Sequence, residues 1–306
     1  MASSIRHPGV LWLHNDSGGG PYLYAVRTTD CAVVATLTLS GAPARDFEAI
    51  ASGRDARGRA TLWLGDIGDN RDSWPDVSVL AIREPARLGD AAVGFRTLRF
   101  TYPDMPHNAE TLLAGRNGQL WVVTKQLANG GFYALPQVWR KDVVVAKRVG
   151  SAGPLITDGA MSPDGKHFVL RDYVDVRVFD GDPPGMNVTK TSLPAQVQGE
   201  AITWSADGRS LFLASEADDR LLEVPAPIAL GASPDMSSST PERDSSTPSS
   251  AGSAPSGQES IGQLRAPWLM VAVLLALGVA IIMTERWRRR SRSRNRWVPE
   301  QPSQEG

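Results

Sequence analysis

The chain has 306 residues, a net charge of −1 and 42% hydrophobic residues, which is enough for one large domain or two ordinary ones. Seven of its 32 basic and three of its 33 acidic residues follow residue 284, so 25 basic and 30 acidic residues precede it. This acidic N-terminal part argues against a nucleic-acid partner, because phosphate binding needs a basic surface. The single cysteine excludes an internal disulfide bond and a thiolate metal site.

A strand pattern recurs through residues 1–228. An apolar segment with an aromatic residue near its start and a polar end occurs five times, and its aromatic residues are Trp12, Trp63, Trp121, Phe168 and Phe212. They are 44 to 58 residues apart, which is the repeat length of a four-stranded propeller blade. Four of the five segments follow a second strand, FEAIA, AETLLA, DGAMS or GEAITW, and a glycine-containing turn typical of hairpins.

The fold class predicted from this pattern is all-β, a β-propeller of about five visible blades. A third strand follows each aromatic strand, and no long helical periodicity occurs before Pro225. Counting back from Trp12 puts the first strand of the first blade at or before Met1. We therefore expect the first blade to be incomplete.

Three glutamates occupy the same repeat position, in strands that we expect to line the central channel. They are Glu48, Glu110 and Glu200, and Gly159 takes the fourth position. A ring of carboxylates could hold Ca²⁺, which prefers oxygen ligands. The alternative is structural, with each glutamate accepting hydrogen bonds from backbone amides of the neighbouring blade. The sequence leaves both open.

A second polar group follows the aromatic strands of the first two repeats. It comprises Asn15 and Asp16 after the first, and Asp66, Asp69 and Asn70 after the second. Such oxygens could bind a cation or a sugar hydroxyl, but they could equally cap a polar turn. The spacing does not match an EF-hand loop, so its specificity is weak.

The later aromatic strands end in charged residues. Lys125, Arg171 and Glu216 follow their strands and could form a polar rim with Asp16 and Asp66 around the channel mouth. Such a rim suits a sugar or phosphorylated ligand, and it also suits a solvated surface. All of these positions are candidate ligand-binding residues, and the three glutamates are also candidate metal ligands.

No catalytic residue is predicted. The chain contains neither a G-x-S-x-G elbow nor an H-E-x-x-H motif. His14 and His107 could reach the channel mouth, but no nucleophile and base can be paired from the sequence. A binding module is therefore favoured over an enzyme.

The segments DFEAIASG, LWLGDIGDN, HNAETLLA and TDGAMSPDGKHFVLRDY resemble bacterial, often actinobacterial, WD-repeat-like propellers. They are more weakly similar to the propeller family named for the esterase-like activity of phytase. The resemblance covers about residues 5–225, although no Trp-Asp dipeptide ends the blades. It implies a secreted or membrane-anchored binding domain, with a Ca²⁺-assisted hydrolase of phosphate esters as the alternative.

Three further regions are predicted after the head. Residues 229–265 are rich in Ser, Pro and Thr and form a disordered stalk, because they carry little apolar surface to bury. Residues 266–284 carry no charge and form one transmembrane α-helix in contact with lipid, flanked by Trp268 and Trp287. Residues 285–306 form a basic cytoplasmic tail.

This arrangement predicts a single-pass protein of the cell membrane. Basic flanks stay in the cytoplasm, so the head is extracytoplasmic and meets an unknown extracellular ligand or protein. Export of the head needs a signal peptide, and the apolar run Val10–Leu13 is too short for one. We expect the signal peptide to be missing from this gene model.

Overall fold

The computed structural model describes residues 1–16, 19–216 and 218–230. Its secondary structure is twenty-one β-strands and one 3₁₀ turn at Arg116–Gly118 within these ranges, so the all-β prediction is confirmed. The strands form five sheets arranged as the blades of a propeller. The predicted stalk, transmembrane helix and tail lie outside the described residues. No helix among the described residues is long and apolar enough to cross a membrane.

The strands follow one another from blade to blade. The strands of blades 1 and 2 are β1 (Ala2–Ser3), β2 (Val10–His14), β3 (Tyr22–Arg27), β4 (Val33–Thr38), β5 (Phe47–Arg54), β6 (Ala60–Asp66), β7 (Val77–Arg83), β8 (Ala91–Ala92) and β9 (Phe95–Thr101). Those of blades 3 to 5 are β10 (Ala109–Ala114), β11 (Leu120–Thr124), β12 (Gly130–Ala134), β13 (Val144–Val145), β14 (Lys147–Gly153), β15 (Asp158–Met161), β16 (His167–Arg171), β17 (Asp175–Asp180), β18 (Met186–Ser192), β19 (Gly199–Trp204), β20 (Ser210–Ser215) and β21 (Asp218–Pro225).

Each blade is an antiparallel meander whose first strand lies at the channel and whose last long strand lies at the outer edge of the propeller. The outermost strand of one blade leads to the innermost strand of the next, β5, β10, β15 or β19. Two short strands, β8 and β13, add parallel to the outer edges of blades 1 and 2. Blade 5 has three strands within the described residues, and β19 lies against β1, which brings the last blade beside the first.

The first blade has the fragmentary inner strand that the repeat spacing predicts. Ala2 pairs with Trp12 and Ser3 pairs with Leu11, so β1 contributes two residues. Ser3 also receives support from blade 5, since its amide donates to Thr203 Oγ1 at 3.3 Å. This strand therefore links the first and last blades of the ring.

The core is divided into five apolar layers, one between each pair of neighbouring blades. Successive side chains of a strand point to opposite faces, so Leu11 packs between blades 5 and 1 while Trp12 packs between blades 1 and 2. The layer between blades 5 and 1 is the smallest, with Met1, Leu11 and Phe212 buried. Each large buried side chain contributes about 1.5–3 kcal/mol of hydrophobic stabilisation.

The turns that join the first and second strands of blades 2, 3 and 5 lie on the face opposite the starts of β5, β10 and β19. The turn between β10 and β11 contains Asn117 and Gly118 with φ of +58° and +71°. Asn and Gly adopt this region at low cost, which is why the Asn-Gly pair predicts the hairpin correctly.

Candidate functional site

The three repeated glutamates stand at irregularities of strand pairing. In β5, Phe47 pairs with Asp66 and Ala49 with Gly65, so Glu48 is an extra residue with no partner in the ladder. The pairing shifts in the same way around Glu110 in β10 and Glu200 in β19. A bulge of this kind turns the extra side chain away from the regular alternation.

Blade 4 lacks both the glutamate and the bulge. Asp158 pairs with Arg171, Gly159 with Leu170 and Ala160 with Val169 in unbroken register. A Cβ atom at Gly159 would lie 2.5 Å from the Val169 carbonyl oxygen. The fourth position is therefore closed to any side chain, and this absence follows from the local backbone geometry.

The bulged glutamates share one cavity of about 170 Å³ in the channel. Its walls come from blades 1, 2, 3 and 5, together with Thr157 before blade 4. The lining residues are Met1, Leu13, His14, Asp16, Phe47, Glu48, Glu110, Thr157, Glu200, Ala201, Ala214, Ser215 and Glu216. Five of these carry carboxylates, and no lysine or arginine side chain of the described residues lines the cavity.

Two of the lining carboxylates belong to a close group of three, which we call the acidic trio: Asp16 and Glu48, which line the cavity, and Asp46, which is buried behind it. One ligand oxygen from each lies within 4.8 Å of the others. Burial raises the pKa of Glu48 well above its usual range, and the nearby Glu110, Asp16 and Asp46 raise it further. The charged form of Glu48 is therefore disfavoured unless a cation balances it.

A buried lysine offsets part of the negative charge of the glutamates in blades 3 and 5. Lys125 Nζ donates to Glu110 Oε1 at 2.7 Å and lies 3.5 Å from Glu200 Oε1. The ammonium group also lies 5.1 Å from the ring centroid of Tyr173, whose hydroxyl donates to Glu200 Oε1 at 3.0 Å. The Lys125 side chain is only 8% exposed, so these contacts replace its water shell.

The hydrogen bonds to Glu200 and Glu216 also come from a side chain, that of Gln198. Gln198 Nε2 donates to Glu200 Oε2 at 3.1 Å and to Glu216 Oε2 at 2.7 Å. Within the described residues, no backbone amide donates to Glu48, Glu110 or Glu200. The structural role considered for the glutamates, acceptance from backbone amides of the next blade, is therefore not what holds them.

Only one of the two carboxylate oxygens of Glu110 is hydrogen-bonded within the described part of the chain. Its side chain is 9% exposed, and Oε2 has no hydrogen-bond partner among the described residues. Buried carboxylate oxygens are rarely left without a donor or a cation. Glu110 lines the cavity and acts electrostatically on Glu48, which places its side chain near the acidic trio.

Histidine does not add positive charge to the cavity. Burial lowers the pKa of His14 to about 3, so its imidazole is neutral at physiological pH. His107, the other candidate at the channel mouth, does not line the cavity. Its Nε2 lies 3.0 Å from Asp104 Oδ1, and its Nδ1 lies 2.8 Å from Gln126 Nε2.

Two acids predicted at the rim instead hold turns in place. Asp66 is fully buried, and its carboxylate accepts from the backbone amides of Arg45 and Asp46 at 2.9 and 2.8 Å. Asp69 accepts from the amides of Ser73 and Trp74 at 2.6 and 2.7 Å. Neither residue lines the cavity. Both cap polar turns, which is the alternative considered for them above.

Three other rim candidates also lie away from the cavity. Asn15 is exposed and donates to the Tyr24 hydroxyl at 3.3 Å, and exposed Asn70 accepts from Asn108 at 3.3 Å. Arg171 is fully buried and donates to the Ala201 carbonyl oxygen at 3.0 Å. These three residues therefore do not line the cavity.

The site therefore gains residues that sequence reasoning missed. Asp46, Tyr173 and Gln198 contact the channel acids but belong to no repeated pattern. Only Asp46 gave a usable signal, because it stands two residues before Glu48 in the sequence.

The channel acids should make stability depend on pH. Burial raises the pKa of Glu110 to about 8, so the folded protein binds more protons than the unfolded chain between about pH 4.5 and pH 8. The free energy of unfolding should fall as pH rises through this window. In chelator-containing buffer, Glu110→Gln should flatten that fall in urea titrations, whereas exposed Glu223→Gln should keep it; an unchanged slope in Glu110→Gln contradicts the assignment.

The sheets and the cavity define a five-bladed β-propeller with a carboxylate-lined channel. No protein-family model matches the chain, and no curated protein sequence matches it. Among solved structures, hydrazine synthase of Kuenenia stuttgartiensis is 10% identical, with 73% of this chain and 75% of that chain covered and a TM-score of 0.39. The periplasmic gluconolactonase PpgL of Pseudomonas aeruginosa is 16% identical, with 73% and 67% covered and a TM-score of 0.38. Similarities this low carry no argument about activity.

Proposed function

We propose that this chain is a binding module whose channel cavity takes a divalent cation, with Ca²⁺ as the best fit. The observation that carries the proposal is the acidic trio, Asp16, Asp46 and Glu48, together with Oε2 of Glu110, which has no hydrogen-bond partner in the described part of the chain. The set of candidate metal ligands predicted from the repeat, Glu48, Glu110 and Glu200, is thereby revised. Glu200 belongs to the lysine-bound wall, and two aspartates take its place.

The donor set favours calcium over magnesium. Ca²⁺ accepts about six to eight oxygen ligands in a flexible geometry, with carboxylates among them. Mg²⁺ demands near-ideal octahedral geometry, keeps several waters and usually takes one or two carboxylates, whereas three carboxylates converge in the trio. The oxygen-only donor set also suits a hard cation rather than a thiolate-preferring metal.

The charge of the cavity makes hydrolysis of phosphate esters the weaker proposal. A phosphate group would meet five lining carboxylates, no lining lysine or arginine of the described residues, and only the Met1 ammonium group, which lies 3.7 Å from Asp158 Oδ2. One Ca²⁺ would offset only part of this repulsion. The alternative is tested by phosphate release from a generic phosphate ester with and without Ca²⁺, and we expect no turnover in either condition.

The position of the cavity supports presentation of the site away from a membrane. The channel glutamates lie at the starts of β5, β10 and β19, on the face opposite the turns that join the first and second strands of their blades. After β21 the chain passes one of those turns, where the Ala226 amide donates to the Arg209 carbonyl oxygen at 2.8 Å. The chain thus leaves the head on the side away from the cavity.

We further propose that the head is extracytoplasmic and that residues 266–284 anchor it in the cell membrane through contact with lipid. The support is the uncharged segment between a Ser/Pro-rich stretch and seven arginines. Cell fractionation and proteolysis of intact cells test this proposal. Full-length protein in detergent-free extract, or a head that survives external protease, contradicts it.

Calcium should raise the unfolding temperature of the full chain. At a free concentration 100 times the dissociation constant, a ligand that binds only the folded state stabilises it by about 2.7 kcal/mol. For a domain of this size the expected shift is about 5–10 °C. Differential scanning calorimetry in 10 mM CaCl₂, 10 mM MgCl₂ and EDTA measures it. Equal curves in CaCl₂ and EDTA contradict the proposal, and the MgCl₂ sample controls for ionic strength and divalent charge.

A further inference from the structure

A second group of side chains in the channel surrounds a positive charge, which is the ammonium group of Lys125. This place lies in front of blade 4, the blade whose innermost strand has neither bulge nor glutamate. Lys125 reaches it from the end of β11 in blade 3. Its ammonium group contacts Glu110 of blade 3, Glu200 of blade 5 and the ring of Tyr173 in blade 4.

The surroundings of this ammonium group match those of a bound cation. Two carboxylate oxygens lie at 2.7 and 3.5 Å, and the ring of Tyr173 lies beneath it at 5.1 Å. The lysine backbone is fixed as well, since its amide donates to the Asn108 carbonyl oxygen at 3.0 Å. Glu110 faces both places, with Oε1 on Lys125 and Oε2 without a partner among the described residues.

We infer that the channel has two adjacent cation positions that share Glu110, and that Lys125 permanently fills one of them. The first position is the acidic trio with Glu110 Oε2. The second comprises Glu110 Oε1, Glu200 Oε1 and the Tyr173 hydroxyl. Lys125 is therefore a specificity-determining residue that limits the channel to one external divalent cation. The inference rests on the proposed function for the first position only.

Removal of the lysine side chain should open the second position. Isothermal titration calorimetry of the full chain with CaCl₂ should give one Ca²⁺ per wild-type chain and two per Lys125→Ala chain. Lys125→Ala leaves two buried carboxylates without their cation. It should therefore be purified in Ca²⁺-containing buffer and exchanged into Ca²⁺-free buffer before the titration. If Lys125→Ala is not recovered folded, Lys125→Ser, which supplies a hydroxyl oxygen, is titrated in its place.

The double variant Lys125→Ala/Glu200→Gln is the matched control, because it empties the position but removes one of its carboxylates. It should return the count to one, and a count of two would overturn the inference. One Ca²⁺ in both wild type and Lys125→Ala would overturn the inference and leave the proposed function standing. None in wild type with one in Lys125→Ala would overturn the proposed function and support the second position. None in either would overturn both.

Discussion

Substitution of Glu48 by glutamine should weaken Ca²⁺ binding by at least about 100-fold, since loss even of an outer-sphere partner can cost that much. Glu48 is the member of the acidic trio that the bulge of β5 turns into the channel. Glutamine keeps its size and one carbonyl oxygen but removes the charge that offsets Ca²⁺. The measurement is calorimetric titration of the full chain with CaCl₂.

Glu223→Gln is the control for this substitution. Glu223 is an exposed glutamate of β21, outside the cavity, so its variant should bind like the wild type. Thermal unfolding in EDTA should show that Glu48→Gln is folded and at least as stable as wild type, because the lost carboxylate is a buried charge repelled by its neighbours. Wild-type affinity in Glu48→Gln would remove the trio from the account.

Gly159→Ala should destabilise the head by at least about 1–3 kcal/mol, the usual cost of overpacking a close-packed site. A Cβ atom there would lie 2.5 Å from the Val169 carbonyl oxygen and 2.6 Å from Leu170 Cδ2. The first contact is with backbone, so relief requires β15 and β16 to separate. Urea titration in EDTA measures the change in the free energy of unfolding.

Gly94→Ala provides the comparison for this variant. Nothing lies within 4 Å of a Cβ atom built at Gly94, and its φ is not positive. The same chemical change should therefore be neutral, or stabilising by about 0.4–1 kcal/mol through loss of unfolded-state entropy. If both variants unfold alike, the regular register of β15 is not what excludes a side chain from the fourth blade position.

The blades could be predicted from the sequence because their signals are local. The alternation around Trp12 and Trp63 and the turn at Asn117–Gly118 each depend on a few neighbouring residues. The convergence of the glutamates also followed, since residues at one repeat position meet at the axis of a closed ring. Repetition along the chain thus carried both the fold and the centre of the candidate site.

The composition of the site could not be predicted, because it depends on strand register and loop conformation. Asp66 and Asp16 both follow aromatic strands, yet Asp66 turns to the amides of residues 45 and 46 while Asp16 lines the cavity. Lys125 was expected at an exposed rim, but it is buried between Glu110 and Glu200. A sequence shows which polar residues end a strand; the bulges and the turn hydrogen bonds decide where they point.

Two features of the channel follow from this arrangement. The bulges in β5, β10 and β19 place acids around the axis, and Lys125 offsets those on one side only. On the other side lies the acidic trio, where burial and then repulsion from neighbouring carboxylates raise the pKa of Glu48. A cation would relieve that repulsion, which is the physical reason to expect one there.

The most direct test is a crystal structure of the full chain grown with CaCl₂. The account predicts one strong density peak bonded to carboxylate oxygens of Asp16, Asp46 and Glu48 at about 2.3–2.6 Å. It also predicts that Glu110 Oε2 faces the peak. A structure from saturating CaCl₂ in which this position holds only water, or in which Ca²⁺ lies outside the channel, would contradict the central claim.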